Sequence, residues 1–186
     1  MTDAFIRAAF AQQREEDAAR AAGLLEFVLG AETAARGADI VLLCVPTPQG
    51  DDGSADLSYI QAAAAQIAPV LEPGAIVVNK STVPVGSTLA VERVLERDDV
   101  HVVSNPEFLR EGTAVHDFLH PDRVVIGSAD RGAAERVAEL YAGVDTPIHI
   151  TDPASAETIK YAANGFLAMK ISFVNAVAAM CEAVGA

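Results

Sequence analysis

The chain has 186 residues, 51% of them hydrophobic, and a formal net charge of −13 at pH 7. This length suits one ordinary domain, or one domain with part of another. Nucleic-acid backbones are bound by clustered Lys and Arg, whereas here 13 basic residues are scattered among 26 acidic ones, so the composition argues against nucleic acid. No apolar run reaches the ~18 residues of a membrane span and no signal peptide is recognisable, so we expect a cytoplasmic protein without a membrane partner.

The first part of the chain gives weak signals. Residues 1–22, rich in Ala, Gln, Arg and Glu, predict a helix that ends before Gly23, and residues 24–29 weakly match a short strand. We treat residues 1–36 as an N-terminal segment of undefined role.

From residue 37 onward, strand and helix patterns alternate. The predicted strands are 40–45, 75–79, 100–103, 123–127 and 148–151, and the predicted helices are 56–71, 86–96, 131–142 and about 154–184. Continuously apolar strands separated by helices are typical of a mostly parallel sheet with helices on both faces. The fold class is therefore α/β, with a sheet domain over 37–152 and a long C-terminal helix over 153–186.

Four of these strands end in polar residues next to a proline. They run into Thr47, Thr82, Glu107 and Thr151, and proline ends the strand so that polar groups are presented at its tip. Ligands bind at the carboxyl edge of open parallel α/β sheets. Convergence of the tips at one edge would make a ligand crevice, although each turn alone is also compatible with an ordinary helix cap.

The segment 104–112 carries two glutamates. If the backbone becomes helical after Pro106, Glu107 and Glu111 share one face, where they could act as general acid or base or orient a polar ligand. The alternative is a solvated helix start with acids near the positive end of the helix dipole.

The last helix carries a second polar pair. Lys160 and Asn164 lie one turn apart, whereas most of the remaining surface is apolar, so we expect the helix to be buried against the sheet domain and a further surface. It would span two domains or form a subunit interface. Lys160 would need a partner such as Glu107 or Glu111, unless it extends to water.

The sequence contains two cysteines. Cys44 falls in a predicted strand and Cys181 in the predicted long helix, far apart in sequence. We expect both to be reduced and buried as small apolar residues.

Five motifs in fixed order resemble the UDP-glucose/GDP-mannose dehydrogenase family. They are VPTP at 45–48, STVPVG at 81–86, NPEFLREG at 105–112, PDRVVIG at 121–127 and KYAAN at 160–164. The resemblance implies a partial Rossmann-like domain with NAD as cofactor. It also implies two-step oxidation of UDP-glucose to UDP-glucuronate through a cysteine-bound intermediate. The PDR triplet at 121–123 favours UDP-glucose over GDP-mannose or another nucleotide sugar.

The resemblance also implies roles for individual residues. Catalytic roles fall to Thr82 and Glu107, which would hold or activate a water, and to Lys160 and Asn164, which would stabilise an oxyanion. Cofactor contacts are implied for Thr47, Thr82 and Glu111. Substrate contacts are implied for Phe108, Leu109, Arg110, Glu111, Lys160 and Asn164. No metal is implied, and the long helix would form a homodimer contact.

Two departures from the family pattern affect the expected activity. The family's G-x-G-x-x-G turn, which cradles the pyrophosphate of NAD, has no counterpart here. The family's nucleophilic cysteine lies beyond the long helix, and Cys181 has no activating neighbour in sequence. We therefore expect the middle part of an enzyme, inactive alone. The alternative is a catalytically dead remnant that serves as a dimerisation module.

Overall fold

The computed structural model describes residues 15–110 and 112–186. Its strands are β1 (Ile40–Leu43), β2 (Ile76–Asn79), β3 (His101–Ser104), β4 (Val124–Gly127) and β5 (Ile148–Thr151). Its helices are α1 (Ala31–Ala35), α2 (Ser58–Ile67), α3 (Ser87–Leu95), α4 (Ala114–Leu119), α5 (Arg131–Glu139) and α6 (Pro153–Val184), with a 3-10 turn at Ala68–Val70 after α2. Residues 15–21 are helical, and Gly23 follows with a φ of 71°.

One five-stranded sheet contains these strands in chain order. β1, β2 and β3 are parallel, β4 is antiparallel to β3 and meets it through the pair Ser104 and Gly127, and β5 is parallel to β4. The mostly parallel α/β sheet predicted from the sequence is confirmed. The reversal at β4 corrects one expectation, because Thr151 does not join the carboxyl edge shared by the tips of β1, β2 and β3.

Alternating side chains place apolar residues on both faces of the sheet. Val77 packs with α2 and α3 on one face, whereas Ile76 and Val78 pack with α5 on the other. Because side chains alternate along a strand, a run of consecutive apolar residues fills two cores at once. This explains why β2 and β4 are buried along their whole length.

A close approach of backbones joins α6 to the sheet. A Cβ atom at Gly127 would lie 2.6 Å from the Cβ of Ala156 and 2.8 Å from the carbonyl oxygen of Asp152. Only glycine permits this packing. Asp152 caps α6 by accepting a hydrogen bond of 2.9 Å from the backbone N–H of Ser155, with Pro153 at the first position.

The weak strand expected at residues 24–29 is wrong. These residues have no strand structure, and Leu24 and Leu29 are 83% and 96% exposed. An apolar segment forms a stable strand only where a neighbouring strand and a core receive it, and no described strand pairs with this segment.

Both cysteines are free thiols, but their expected burial is wrong. Cys44 is exposed and Cys181 is half-buried. Cys44 follows β1, the edge strand of the sheet, on the same face as the exposed Leu42, where no described helix covers the strand. Cys181 lies near the end of α6, far from the sheet.

The helix α6 contacts the sheet domain through its first turns only. Ala156, Glu157 and Lys160 are its buried residues, so the expected burial against the sheet domain is confined to this end of the helix. By length and composition alone α6 is also suitable for a membrane span, which the sequence analysis did not anticipate. Its apolar side chains need a covering surface that the described residues do not provide.

Candidate active site

A cavity of about 510 Å³ lies above the carboxyl end of β3. The segment 105–110 and α4 form two of its walls, the start of β4 forms a third, and α6 closes it. Its volume falls in the range of small-molecule sites. Because β4 runs antiparallel to β3, the start of β4 and Arg123 border this cavity instead of the end of β4.

Lys160 forms the centre of the cavity wall on α6. The residue is 5% exposed, and its Nζ donates to the backbone oxygen of Glu107 and, at 3.2 Å, to the Oε1 of the same residue. Of the alternatives left open by the sequence, the structure therefore shows Glu107 as partner and excludes extension of the lysine into water. Glu111 lies outside the described residues.

The helix considered after Pro106 does not form. Residues 105–110 are irregular, and α4 begins only at Ala114, after Gly112 turns the chain with a φ of 84°. The Oε2 of Glu107 accepts a hydrogen bond from the backbone N–H of Leu109 at 2.5 Å. Such a local bond offers the backbone a turn instead of a helix. Both carboxylate oxygens of Glu107 thus have partners.

Two cations lie close to the ring of Phe108. The Cζ of Arg123 lies 4.4 Å from the centre of its ring, and the Nζ of Lys160 lies 5.2 Å from it. Cations are attracted to the face of an aromatic ring, so these contacts fix the ring at the cavity. Arg123 has no ion-pair partner within the described part of the chain.

Arg110 is held by α4. Its Nε and Nη2 donate to the carboxylate of Asp117 at 3.0 and 2.6 Å, and Thr113 donates to the same group at 2.9 Å. The hydrogen bond from Arg110 is the main cause that lowers the pKa of Asp117 well below its ordinary value. Arg110 thereby ties the segment 105–110 to α4, while its side chain stays 71% exposed toward the cavity opening.

Asn164 and Leu109 also border the cavity. Asn164 follows Lys160 by one turn of α6, so its amide lies beyond the ammonium on the same side of the helix. The structure therefore brings together the predicted residues of segment 107–110, Lys160 and Asn164 around one space.

Thr47 and Thr82 form a separate group. The Oγ1 of Thr47 donates to the carbonyl oxygen of Thr82 at 2.9 Å, and the Oγ of Ser81 donates to that of Val45 at 2.7 Å. These bonds join the turns after β1 and β2 at the carboxyl edge of the sheet. Neither threonine lines the cavity, so the structure does not place them with Lys160.

Thr47 and Thr82 match one part of an NAD site, but not the part that binds the pyrophosphate. The threonine turns lie at the edge where doubly wound sheets bind dinucleotides, and the hydroxyl of Thr82 has no hydrogen-bond partner among the described residues. The sequence supplies no Gly-rich turn for the pyrophosphate.

Four residues near the site were given no role by the sequence analysis. Lys80 and Tyr141 line the cavity and hydrogen-bond Asn105, while Glu157 is buried one turn before Lys160. Lys80 directly precedes the STVPVG motif and Asn105 begins the NPEFLREG motif, which could have drawn attention to them. Tyr141 and Glu157 gave no signal, because their partners are distant in sequence.

Comparison with known proteins agrees with this geometry. Residues 13–145 match the NAD binding domain of the UDP-glucose/GDP-mannose dehydrogenase family, and residues 154–186 match its central domain. The chain belongs to this family. The resemblance inferred from the five motifs is thus confirmed, and the matched region begins further toward the N-terminus than the motifs do.

Curated members of the family are similar over most of the chain. UDP-glucose 6-dehydrogenase YwqF of Bacillus subtilis is 47% identical over 169 residues, which are 88% of this chain and 38% of that protein. A UDP-glucose 6-dehydrogenase of Rhizobium meliloti is 48% identical over 176 residues, 89% of this chain and 40% of that protein. The chain thus spans about two fifths of the length of these relatives.

Solved structures of the family share the fold. A UDP-glucose dehydrogenase from Pyrobaculum islandicum superposes with a TM-score of 0.80 at 43% identity, over 87% of this chain and 39% of that one. A GDP-mannose dehydrogenase from Pseudomonas aeruginosa gives 0.79 at 32% identity, over 86% and 39%. The partial Rossmann-like domain and the long helix are therefore features of this dehydrogenase family.

Proposed function

We propose that this chain supplies substrate-binding and catalytic residues for the NAD-dependent oxidation of UDP-glucose to UDP-glucuronate. One observation carries the proposal: the buried Lys160 contacts Glu107 at a cavity that Asn164 and Phe108 also line. The identity to UDP-glucose 6-dehydrogenases supports UDP-glucose as the substrate. GDP-mannose or another nucleotide sugar is the alternative.

Lys160 and Asn164 are suited to stabilise negative charge on a substrate oxygen. Two of the three N–H groups of the ammonium point to Glu107, which leaves one for the substrate, and the Asn164 amide adds another donor one turn away. Donors that are already fixed in place stabilise a developing oxyanion without reorganising. The contact with Glu107 provides this fixation for Lys160.

Glu107 is proposed as the base that takes a proton from water. Its side chain is about one third exposed and is oriented by Lys160 and by the Leu109 N–H. A carboxylate held in this way keeps one defined orientation toward the cavity. Thr82 is proposed to help hold that water, although it lies outside the cavity lining.

NAD, when bound, accepts a hydride from the sugar. Thr47 and Thr82 are proposed to hold it at the carboxyl edge of β1 and β2, with Glu111 nearby. The segment 108–111 is proposed to enclose the substrate, and the Arg110 bond to Asp117 keeps its described part against α4.

Isothermal titration of the chain with UDP-glucose, GDP-mannose and NAD tests this function. We expect heat with UDP-glucose and weaker or no binding of GDP-mannose. Asn164→Leu should weaken UDP-glucose binding about tenfold, because one hydrogen-bond donor is lost. Asn175→Leu, which changes an amide three turns further along the same helix and outside the cavity lining, serves as control and should bind as the wild type does.

Absence of heat with every nucleotide sugar would contradict the proposal. It would favour the alternative, a catalytically inactive remnant that acts as a dimerisation module.

We also propose that α6 joins two copies of the chain. Phe166, Phe173 and Met180 recur every seven residues and are each at least 60% exposed. Apolar side chains at this spacing form a stripe that packs against another helix. Lys170 and Asn175 interrupt the helix with polar groups that are expensive within a bilayer, which favours a protein partner and a cytoplasmic location over a membrane.

Sedimentation velocity of two matched variants tests the dimer. Phe173→Glu should weaken association by at least tenfold, since a charge at the centre of an apolar interface is buried unpaired. Asn175→Glu places the same charge on the other side of α6 and should leave association unchanged. A wild-type chain that sediments as a monomer at all accessible concentrations would contradict the dimer.

A further inference from the structure

Lys80, directly after β2, lines the same cavity as Lys160. Its Nζ donates to the backbone oxygen of Asn105 at 3.2 Å, to the side-chain oxygen of Asn105 at 3.0 Å and to the hydroxyl oxygen of Tyr141 at 3.1 Å. All three acceptors are neutral. Within the described residues, the ammonium of Lys80 has no carboxylate partner, so its charge is not neutralised at the cavity wall.

Asn105 is fixed by this arrangement on every side. The Tyr141 hydroxyl donates to its side-chain oxygen at 2.6 Å, and its Nδ2 donates to the backbone oxygen of Val125 at 2.8 Å. Its backbone N–H donates to Asn79 at 3.0 Å. Asn105 is 2% exposed, so loss of any of these partners would leave a buried polar group without compensation.

The two lysines hold the two carbonyl groups that flank Pro106. Lys80 binds the carbonyl of Asn105, and Lys160 binds the carbonyl and carboxylate of Glu107. Pro106 lacks an N–H and cannot anchor the turn by donating a hydrogen bond. The orientation of Glu107 therefore depends on one ammonium before the proline and one after it.

We infer that Lys80 is a positioning residue: with Tyr141 it fixes Asn105 and thereby the turn that presents Glu107 to Lys160 and the substrate. The importance of Lys80 for catalysis rests on the proposed function. The effect of Lys80 on the Glu107 turn can be measured without any ligand. Lys80 does not itself transfer a proton.

The test in the free protein uses nuclear magnetic resonance at neutral pH. Lys80→Met should shift the carboxyl carbon resonance of Glu107 and the amide resonance of Leu109, which donates to that carboxylate. Lys80→Arg keeps donors for Asn105 and should shift both resonances less, and Tyr141→Phe should shift them in the same direction as Lys80→Met.

Two controls separate positioning from general destabilisation. Arg131→Met removes one exposed positive charge far from the cavity. Ile60→Ala weakens the apolar core between the sheet and helices α2 and α3. Ile60→Ala should lower the melting temperature without moving the two resonances. If Lys80→Met does not fold, the Glu107 and Leu109 resonances of Lys80→Arg and Tyr141→Phe are compared with those of the controls. Resonances in these two variants that stay where the controls have them would overturn the inference.

Titration with UDP-glucose completes the test. Lys80→Met should weaken binding about tenfold, because the Glu107 turn is then less well ordered before the substrate binds, while Arg131→Met should not. Unchanged Glu107 and Leu109 resonances in a folded Lys80→Met variant would overturn the inference. A wild-type chain that fails to bind UDP-glucose would instead overturn the proposed function, and the resonances would still decide the role of Lys80.

Discussion

The first turns of α6 have packing and hydrogen-bond partners within the chain, whereas the rest of the helix is largely exposed. Ala156 packs on Gly127, and the Glu157 carboxylate accepts hydrogen bonds from the N–H of Gly86 at 2.6 Å, the N–H of Thr88 at 2.8 Å and the Thr88 hydroxyl at 2.7 Å. Beyond Lys160, the helix exposes mainly apolar side chains.

This difference separates contacts that the chain provides for itself from contacts that need another surface. Glu157 is 2% exposed and lies at the positive end of α3, where both the helix dipole and three donors stabilise its charge. The exposed part has no comparable individual partners among the described residues, and its apolar area is stabilised only when a second surface covers it. The anchored end thus fixes Lys160 in the cavity before any partner binds.

Gly127→Ala should have the largest effect, because it breaks the anchored end. The new Cβ would meet two backbone groups as well as Ala156, so α6 must move away. We expect a loss of about 3 kcal/mol in the free energy of unfolding, measured by urea denaturation. Gly143→Ala, where a Cβ meets nothing within 4 Å, is the control. Equal stability of both variants would show that α6 is not held by this contact.

Glu157→Gln should have the next largest effect. The amide NH2 of glutamine would face an N–H of Gly86 or Thr88, so one buried hydrogen bond is lost and two donors oppose each other. We expect a loss of about 2 kcal/mol. Glu182→Gln makes the same substitution in the exposed part of the helix and should change stability by less than about 0.5 kcal/mol. A similar result for both would remove the distinction between the two parts.

Gly165→Ala should stabilise the chain, unlike the two substitutions above. Gly165 lies in the exposed part of α6, and a Cβ there meets nothing within 4 Å. Alanine should raise the free energy of unfolding by about 1 kcal/mol through its higher helix propensity. Thermal unfolding at two protein concentrations checks this, and a destabilised dimer would show that residue 165 faces the partner helix.

The smallest effect is expected at low pH, at Asp117 in the part of the cavity wall formed by α4. Because Arg110 lowers the pKa of Asp117 in the folded chain, this carboxylate contributes stability above its ordinary pKa of 3.8, and the contribution is lost as pH falls through the lower folded value. Asp117→Asn should therefore flatten the dependence of stability on pH below about 4, whereas the exposed Asp145→Asn should not. Unfolding midpoints at several pH values measure this, and parallel curves for wild type and Asp117→Asn would contradict it.

Local patterns in the sequence predicted much of the fold. The mostly apolar runs at 75–79 and 123–127 predicted strands that the structure contains at 76–79 and 124–127, because both faces of each strand are buried. The same reasoning failed at residues 24–29, where the pattern exists but no neighbouring strand pairs with it. It also failed for Cys44, since burial depends on what covers a strand and not on the strand itself.

The candidate site was predictable where its residues form local motifs. Segment 105–110, Lys160 and Asn164 were identified from their order and spacing, and the structure places them at one cavity. The partners Tyr141 and Glu157 were not, since each contacts residues far away along the chain. The roles of all these residues remain predictions until the variants are measured.

The sequence by itself determined the alternation of strands and helices, the family and the segments that approach the cavity, because these depend on local periodicity and on motifs. Only the tertiary structure decided that β4 runs antiparallel, that Lys160 pairs with Glu107, and that the threonine turns lie apart from both. These features depend on which distant segments meet, and the meeting is set by packing around Gly127 and by buried hydrogen bonds that no local pattern records.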